Sequence, residues 1–208
     1  MKAILIHFII GYAMAFLGLL SPGLLTMTTL NTAIERGKRK AFCFAVGAVL
    51  PIIIQAHLGL LGANYLKAHP EIIHSFSGVA VFVFFSLAIF FFRQYTRRNQ
   101  PVRTTRFDIH NTLLLGIFVS TINPLAIPFY FTYSTLLEMQ GILNLHQPNV
   151  SFFVAGAVLG ALSIMSIYAR YARLLLGRIQ FIARNFKLIL AISMMLLGLA
   201  SLVNVLVN

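Results

Sequence analysis

Six apolar runs, each about long enough to cross a bilayer and most of them separated by short basic stretches, constrain this chain more than any other feature. A helix needs about 20 apolar residues to traverse the hydrocarbon core. The runs extend from Ile4 to Ala33, Ala41 to Leu66, Ile73 to Phe92, Asn111 to Leu137, Ser151 to Tyr168 and Leu188 to Val207. They use up almost all of the 208 residues, so no separate soluble catalytic domain fits, and residues 1–208 are expected to form a single transmembrane domain. A composition of 59% hydrophobic and 10% charged residues could not coat a water-soluble fold. The expected fold class is therefore an all-α integral membrane protein with six transmembrane helices. Lys2 and the apolar run up to Ala13-Met14-Ala15 have the outline of a signal peptide. The run continues past that point without a charge until Glu35, so it is read as the first span.

Charge then orients the spans. Fourteen of the 16 Lys and Arg residues fall in alternate loops: Arg36, Lys38, Arg39 and Lys40; Arg93, Arg97, Arg98, Arg103 and Arg106; Arg170, Arg173, Arg178, Arg184 and Lys187. Basic residues in short loops stay cytoplasmic. This places both termini on the outer side of a bacterial-type inner (plasma) membrane. It also explains a net charge of +12 without nucleic acid. The single cysteine, Cys43, excludes an internal disulfide or a CxxC redox pair and reads as packing.

The first and fourth runs share an interruption. Ser21-Pro22 and Asn123-Pro124 stand 102 residues apart, close to half the chain. Ser and Asn are good helix N-caps, and Pro suits the first helical position. Each pair is expected to start a second half-helix, roughly 16–26 Å from either end of its span. Two halves of three spans, approximately 1–100 and 101–208, would then form an inverted repeat with interrupted helices 1 and 4. A half-helix start presents free N–H groups and a partial positive charge, which suits a carboxylate. The plain alternative is two proline kinks.

Other polar residues fall near these points. Gly47, Pro51, Gln55 and Gly59 share one helix face at four-residue spacing. Gln55 either lines a pathway or bonds a neighbouring helix. His57, the one titratable residue read as well buried in a span, is a candidate proton relay or a satisfied structural group. Thr26 and Thr29 share a face after the first break and extend the candidate site, or bond back to their own helix. Gly156 and Gly160 repeat the Gly47 pattern and read as packing. His69, His74 and His146 match no compact metal motif. Catalytic carboxylate pairs, nucleophile elbows and phosphate loops are missing from the sequence. No catalytic residue, metal or cofactor is expected, and the chain is not read as an enzyme.

The arrangement resembles the LysE-type translocators, which export amino acids. The resemblance rests on Ser21-Pro22-Gly23, then Arg36-Gly37-Lys38-Arg39-Lys40-Ala41 and Val46-Gly47; on Gly116 followed by Asn123-Pro124 and Phe129-Tyr130-Phe131; and on Leu197-Gly198-Leu199. It implies ion-gradient-driven efflux of amino acids or similar solutes. Pro22-Gly23-Leu24 stands where that family has Pro-Gly-Pro, and Asn123-Pro124-Leu125 where it has Asn-Pro-Lys. The family's acidic residue in the second span has no equivalent, and Ile52 or Gln55 stands nearby, which points to a less charged solute. The expected site gathers Ser21, Pro22, Gly23, Thr26, Gln55, Asn123 and Pro124, with His57 as relay. Alternating access would rock one half against the other. The expected partners are the lipid bilayer, a small-molecule solute and, in a homo-oligomer, further copies of the chain. The competing reading is a non-transporting membrane scaffold or accessory subunit.

Overall fold

The computed structural model describes residues 2–20, 23–69, 110–123 and 125–175, with scattered helical positions between 85 and 96 and between 188 and 203. Every regular element among them is an α-helix: α1 Lys2–Gly18, α2 Leu24–Glu35, α3 Lys38–Ala68, α4 Thr112–Thr121, α5 Ala126–Met139 and α6 Asn149–Arg170. Helices α3 and α6 are each long and apolar enough to cross a membrane, and α4 with α5 pass that test together as a bent pair. The expected spans over 73–92 and 188–207 lie largely outside the described residues.

Local chemistry sets the ends. Asn111 caps α4, its side chain accepting from the Leu113 N–H at 3.0 Å. Gly37 follows α2 with φ +86° and Gly141 follows α5 with φ +71°, the left-handed turn that commonly ends a helix. After α5 the Ile142 N–H reaches the Leu137 carbonyl and the Gly141 N–H reaches Glu138, which closes the last turn.

The chain groups into two units, Met1–Tyr65 with Thr104–Gly177 and Leu66–Arg103 with Arg178–Asn208. The first holds all six helices apart from the last three residues of α3. It draws on both sequence halves, so the halves are interleaved.

Two parallel helix pairs build that unit. In one, α1 lies along α6: a Cβ at Gly11 would overlap the Phe153 carbonyl, and one at Gly156 or Gly160 would overlap the Phe8 or Tyr12 carbonyl. In the other, α3 lies along α4: a Cβ at Gly47 would overlap the Leu113 carbonyl, and one at Gly116 the Phe44 carbonyl. Backbones this close leave room only for glycine, and they gain dispersion and Cα–H···O contacts where lipid supplies no hydrophobic driving force. Between the pairs lies a core of Ala15, Ile52, Ala56, Leu60, Tyr130, Phe153, Val154 and Ala157.

The exterior is apolar too. Leu50, Ile54, Leu58, Leu61 and Tyr65 form one exposed stripe on α3, each 45–64% accessible. A continuous exposed apolar face of this kind is what lipid contact requires. Cys43 is exposed on the same helix, not packed in the core as its sequence context suggested.

Candidate functional site

Helices α1 and α2 flank the first expected interruption, with Ser21 and Pro22 outside the described residues. Helix α2 begins at Leu24, two residues after the expected start, with Gly23 as its N-cap. The Thr26 hydroxyl accepts from the Gly23 N–H at 2.8 Å and donates to the Gly23 carbonyl at 3.2 Å. Thr26 is fully buried and serves the break itself. Thr28, Thr29 and Thr32 bond back to the carbonyls of Leu24, Leu25 and Thr28. Such back-bonding is the ordinary fate of a hydroxyl in an apolar helix.

At the second interruption α4 and α5 meet at 57°. Pro124 lies outside the described residues. The Asn123 side chain accepts from the Leu125 N–H at 3.3 Å, the bond expected of an N-cap to the residue two positions on. Regular helix starts at Ala126, because Leu125 is still in the turn. Pro128 removes one further first-turn donor, which leaves the N–H groups of Ala126 and Ile127 at the helix start.

Gln55 joins this second break. It is 7% accessible, and its amide NH₂ donates to the Ser120 carbonyl at 2.8 Å. That carbonyl also accepts from the Asn123 N–H at 3.2 Å, so Gln55 and Asn123 converge on one atom at the end of α4. Two polar atoms here are buried and have no partner among the described residues: Gln55 Oε1 and Ser120 Oγ. Exchanging the amide O and N of Gln55 would lose the bond to Ser120. The neighbouring Thr121 hydroxyl bonds back to Ile117, whereas Ser120 does not. An unpaired buried polar atom costs about 1–3 kcal/mol, so a pair of them at one site calls for a ligand, a water or another conformation.

The two breaks approach each other. A Cβ at Gly18, just before the first, would come 2.6 Å from Cζ of Phe129, in the first turn after the second. Phe129 also packs against Tyr133 and Tyr130, and Tyr130 meets Phe153 edge-on. Helix α2 in turn touches α4 and α6. Of the expected site residues, Gln55 and Asn123 are brought together. Gly23 and Thr26 belong to the facing break.

His57 requires a correction. It is partly exposed, and its Nδ1 lies 2.9 Å from the carbonyl of Ile53 on its own helix. Among the described residues the well-buried histidine is His7, 4% accessible, whose Nε2 accepts from the Asn144 N–H at 2.9 Å. The helix face decides the difference: His57 lies two positions past Gln55, about 200° around the helix from it.

Sequence reasoning overlooked Ser120, Phe129 and Tyr168. The Tyr168 hydroxyl donates to the Leu20 carbonyl, at the end of α1, at 2.6 Å. A signal for it existed: Tyr168 follows Gly160 by the eight residues that separate Gln55 from Gly47. Groups of histidine, cysteine and carboxylate able to hold a metal do not occur among the described residues. A family model for LysE type translocators matches residues 16–204 of this chain. No curated protein and no solved structure gives a significant match.

Proposed function

The chain belongs to the LysE type translocator family, and on that footing we propose that it is a gradient-driven secondary transporter whose solute binds at the break between α4 and α5. The family places it in a membrane and associates it with transport of small solutes. The observation that carries the site is the unspent polarity beside Asn123: Gln55 Oε1 and Ser120 Oγ, buried and unpaired in an otherwise apolar chain. Free first-turn N–H groups of α5 suit a carboxylate, and the Gln55 carbonyl oxygen suits an ammonium or another donor. An amino acid carries both of these groups, and a neutral relative keeps donors and acceptors of the same kind. Gln55 holds no charge, which fits a solute without a second ionised group. No nucleotide-binding motif occurs in the sequence, which leaves an ion gradient as the energy source.

Six spans and an inverted repeat account for the packing. Helices α3 and α4 run parallel, which agrees with the third span expected between them in sequence. In an inverted repeat, span 1 against span 5 is the counterpart of span 4 against span 2, and these are the two glycine-seated pairs. The basic residues at the start of α3 and the end of α6 support a cytoplasmic placement of both ends, with the termini outside. Rocking of one intact half against the other is disfavoured, because each pair takes one helix from each half and the motion would part both seats. Access instead changes by rearrangement at the breaks.

The test is counterflow in liposomes with purified protein and a solute panel. Accelerated exchange of an amino-acid-like solute is expected, reduced at least about tenfold by Gln55→Leu combined with Asn123→Ala. Undiminished flux in that double variant would remove the site assignment.

A further inference from the structure

We propose that Tyr168 is a positioning residue for the first interrupted span, performing there the task that the Gln55 amide performs at the second. Four observations share one register. Gly47 and Gly160 each seat against a backbone carbonyl of the neighbouring broken span, Leu113 and Tyr12 respectively. Eight residues further along each seating helix stands a side-chain donor, Gln55 or Tyr168. Seven residues beyond Leu113 and eight beyond Tyr12 stand the carbonyls that these donors reach, Ser120 and Leu20. The residue types differ, so the likeness lies in the geometry and not in the amino acids.

The chemistry explains why such donors are needed. Where a helix stops inside an apolar environment, its last carbonyls have no N–H partner four residues on. Water is excluded there, so a donor must come from a packed neighbour. At the end of α1 the Leu20 N–H turns back to Leu17 in a tightened last turn, and its carbonyl takes the Tyr168 hydroxyl at 2.6 Å. A phenol has one proton to donate. Once it is committed to Leu20, Tyr168 fixes where α1 ends and hence where the chain enters α2 at Gly23. Gln55 differs in keeping a spare acceptor, so its variants alter binding as well as position. The hydrogen bond shown for Tyr168 goes to the backbone of the break, so this residue is expected to govern the rate of rearrangement.

Hydrogen exchange on the full-length protein in nanodiscs, followed by mass spectrometry, tests this without reference to transport. Tyr168→Phe removes only the hydroxyl. It is expected to speed exchange of the amides at 19–27 by about tenfold and leave 120–127 within about twofold of wild type, with Gln55→Leu giving the reverse pattern. Unchanged exchange at 19–27, or an equal rise over all of α1 and α6, would overturn the proposal. If the phenylalanine variant does not assemble, 3-fluorotyrosine at position 168 keeps the ring and sharpens the donor. Slower exchange at 19–27 then supports the assignment, and no change defeats it.

A second arm rests on the transport reading. With the solute that the wild type moves, Tyr168→Phe is expected to lower maximal flux about tenfold with half-saturation changed less than about twofold, whereas Gln55→Leu raises half-saturation. Equal effects of both variants on half-saturation would contradict a positioning role. A wild type that moves no solute would defeat the transport reading and leave the exchange result standing.

Discussion

At the break between α1 and α2 the buried polar side chains that the structure describes are engaged: Tyr168 donates to Leu20, and the Thr26 hydroxyl both accepts from and donates to Gly23. At the break between α4 and α5 a similar donor reaches a similar carbonyl, yet Gln55 Oε1 and Ser120 Oγ remain buried without partners. The first arrangement is what stability alone would select. The second gives up about 1–3 kcal/mol per orphaned atom. Neighbouring hydroxyls show how readily the loss is avoided, since Thr121, Ser134 and Thr135 all bond back to their own helix. On the proposed reading, this difference separates the part that holds the fold from the part that meets a solute.

The comparison breaks most severely at the glycine seats, on which both donors depend for register. Gly116→Val and Gly160→Val each drive a side chain into backbone and are expected to cost about 3 kcal/mol or more, read as loss of folded yield and a lower melting temperature in detergent. Gly23→Ala is the control. A Cβ there meets nothing within 4 Å, and φ is −111°, so stability should move by less than about 0.5 kcal/mol. Equal damage at all three positions would show that glycine matters for some reason other than close approach.

Gln55→Leu gives the next largest effect, and it sharpens the contrast. Leucine removes the orphaned acceptor together with the donor, and the Ser120 carbonyl keeps its bond from the Asn123 N–H. Stability should change by less than about 1 kcal/mol while solute flux falls about tenfold. A large loss of stability with undisturbed flux would make the two breaks alike, each purely structural.

Caps come third. Asn123→Ala and Thr26→Val each take the acceptor from one N–H at a half-helix start, worth about 1 kcal/mol of stability by denaturation. The stability losses should match. Flux should fall for Asn123, which lies beside the orphaned pair, and hold for Thr26.

Much of this pattern was legible in the sequence, for identifiable reasons. Proline and a capping residue inside an apolar run mark a helix break by local chemistry alone: Asn123 accepts from the Leu125 N–H, although the regular helix starts at Ala126, two residues later than expected. Four-residue spacing put Gly47, Gln55 and Gly59 on one face, and all three are buried there. Position around the break was less readable. Helix α2 starts at Leu24 with Gly23 as its cap, because Thr26, three residues on, supplies the acceptor for the Gly23 N–H. Tertiary partners were not readable at all. Nothing local to Ser120 distinguishes it from other polar residues in apolar helices, and Tyr168 is marked only by its eight-residue spacing from Gly160. Their roles come from which helices pack in parallel, and that follows from glycine seats between residues distant in sequence, such as Gly47 with Leu113 and Gly160 with Tyr12.

Two histidines supply the last test of whether polarity in this protein is structural or functional. His57 bonds to Ile53 on its own helix and is partly exposed on the α3 surface, away from the Gln55 face. His57→Leu exchanges that bond for apolar contact and should alter stability by less than about 0.5 kcal/mol. The pH profile of solute flux should coincide with that of the wild type, because no other described titratable group is shown bonded to it. His7 instead holds the Asn144 N–H at the start of the α1–α6 pair, and His7→Leu should cost about 1–2 kcal/mol by stranding that donor. A displaced pH profile in His57→Leu would move the proton path onto the α3 surface and away from the breaks. A displacement in His7→Leu alone would put it at the His7–Asn144 end of the glycine-seated pair.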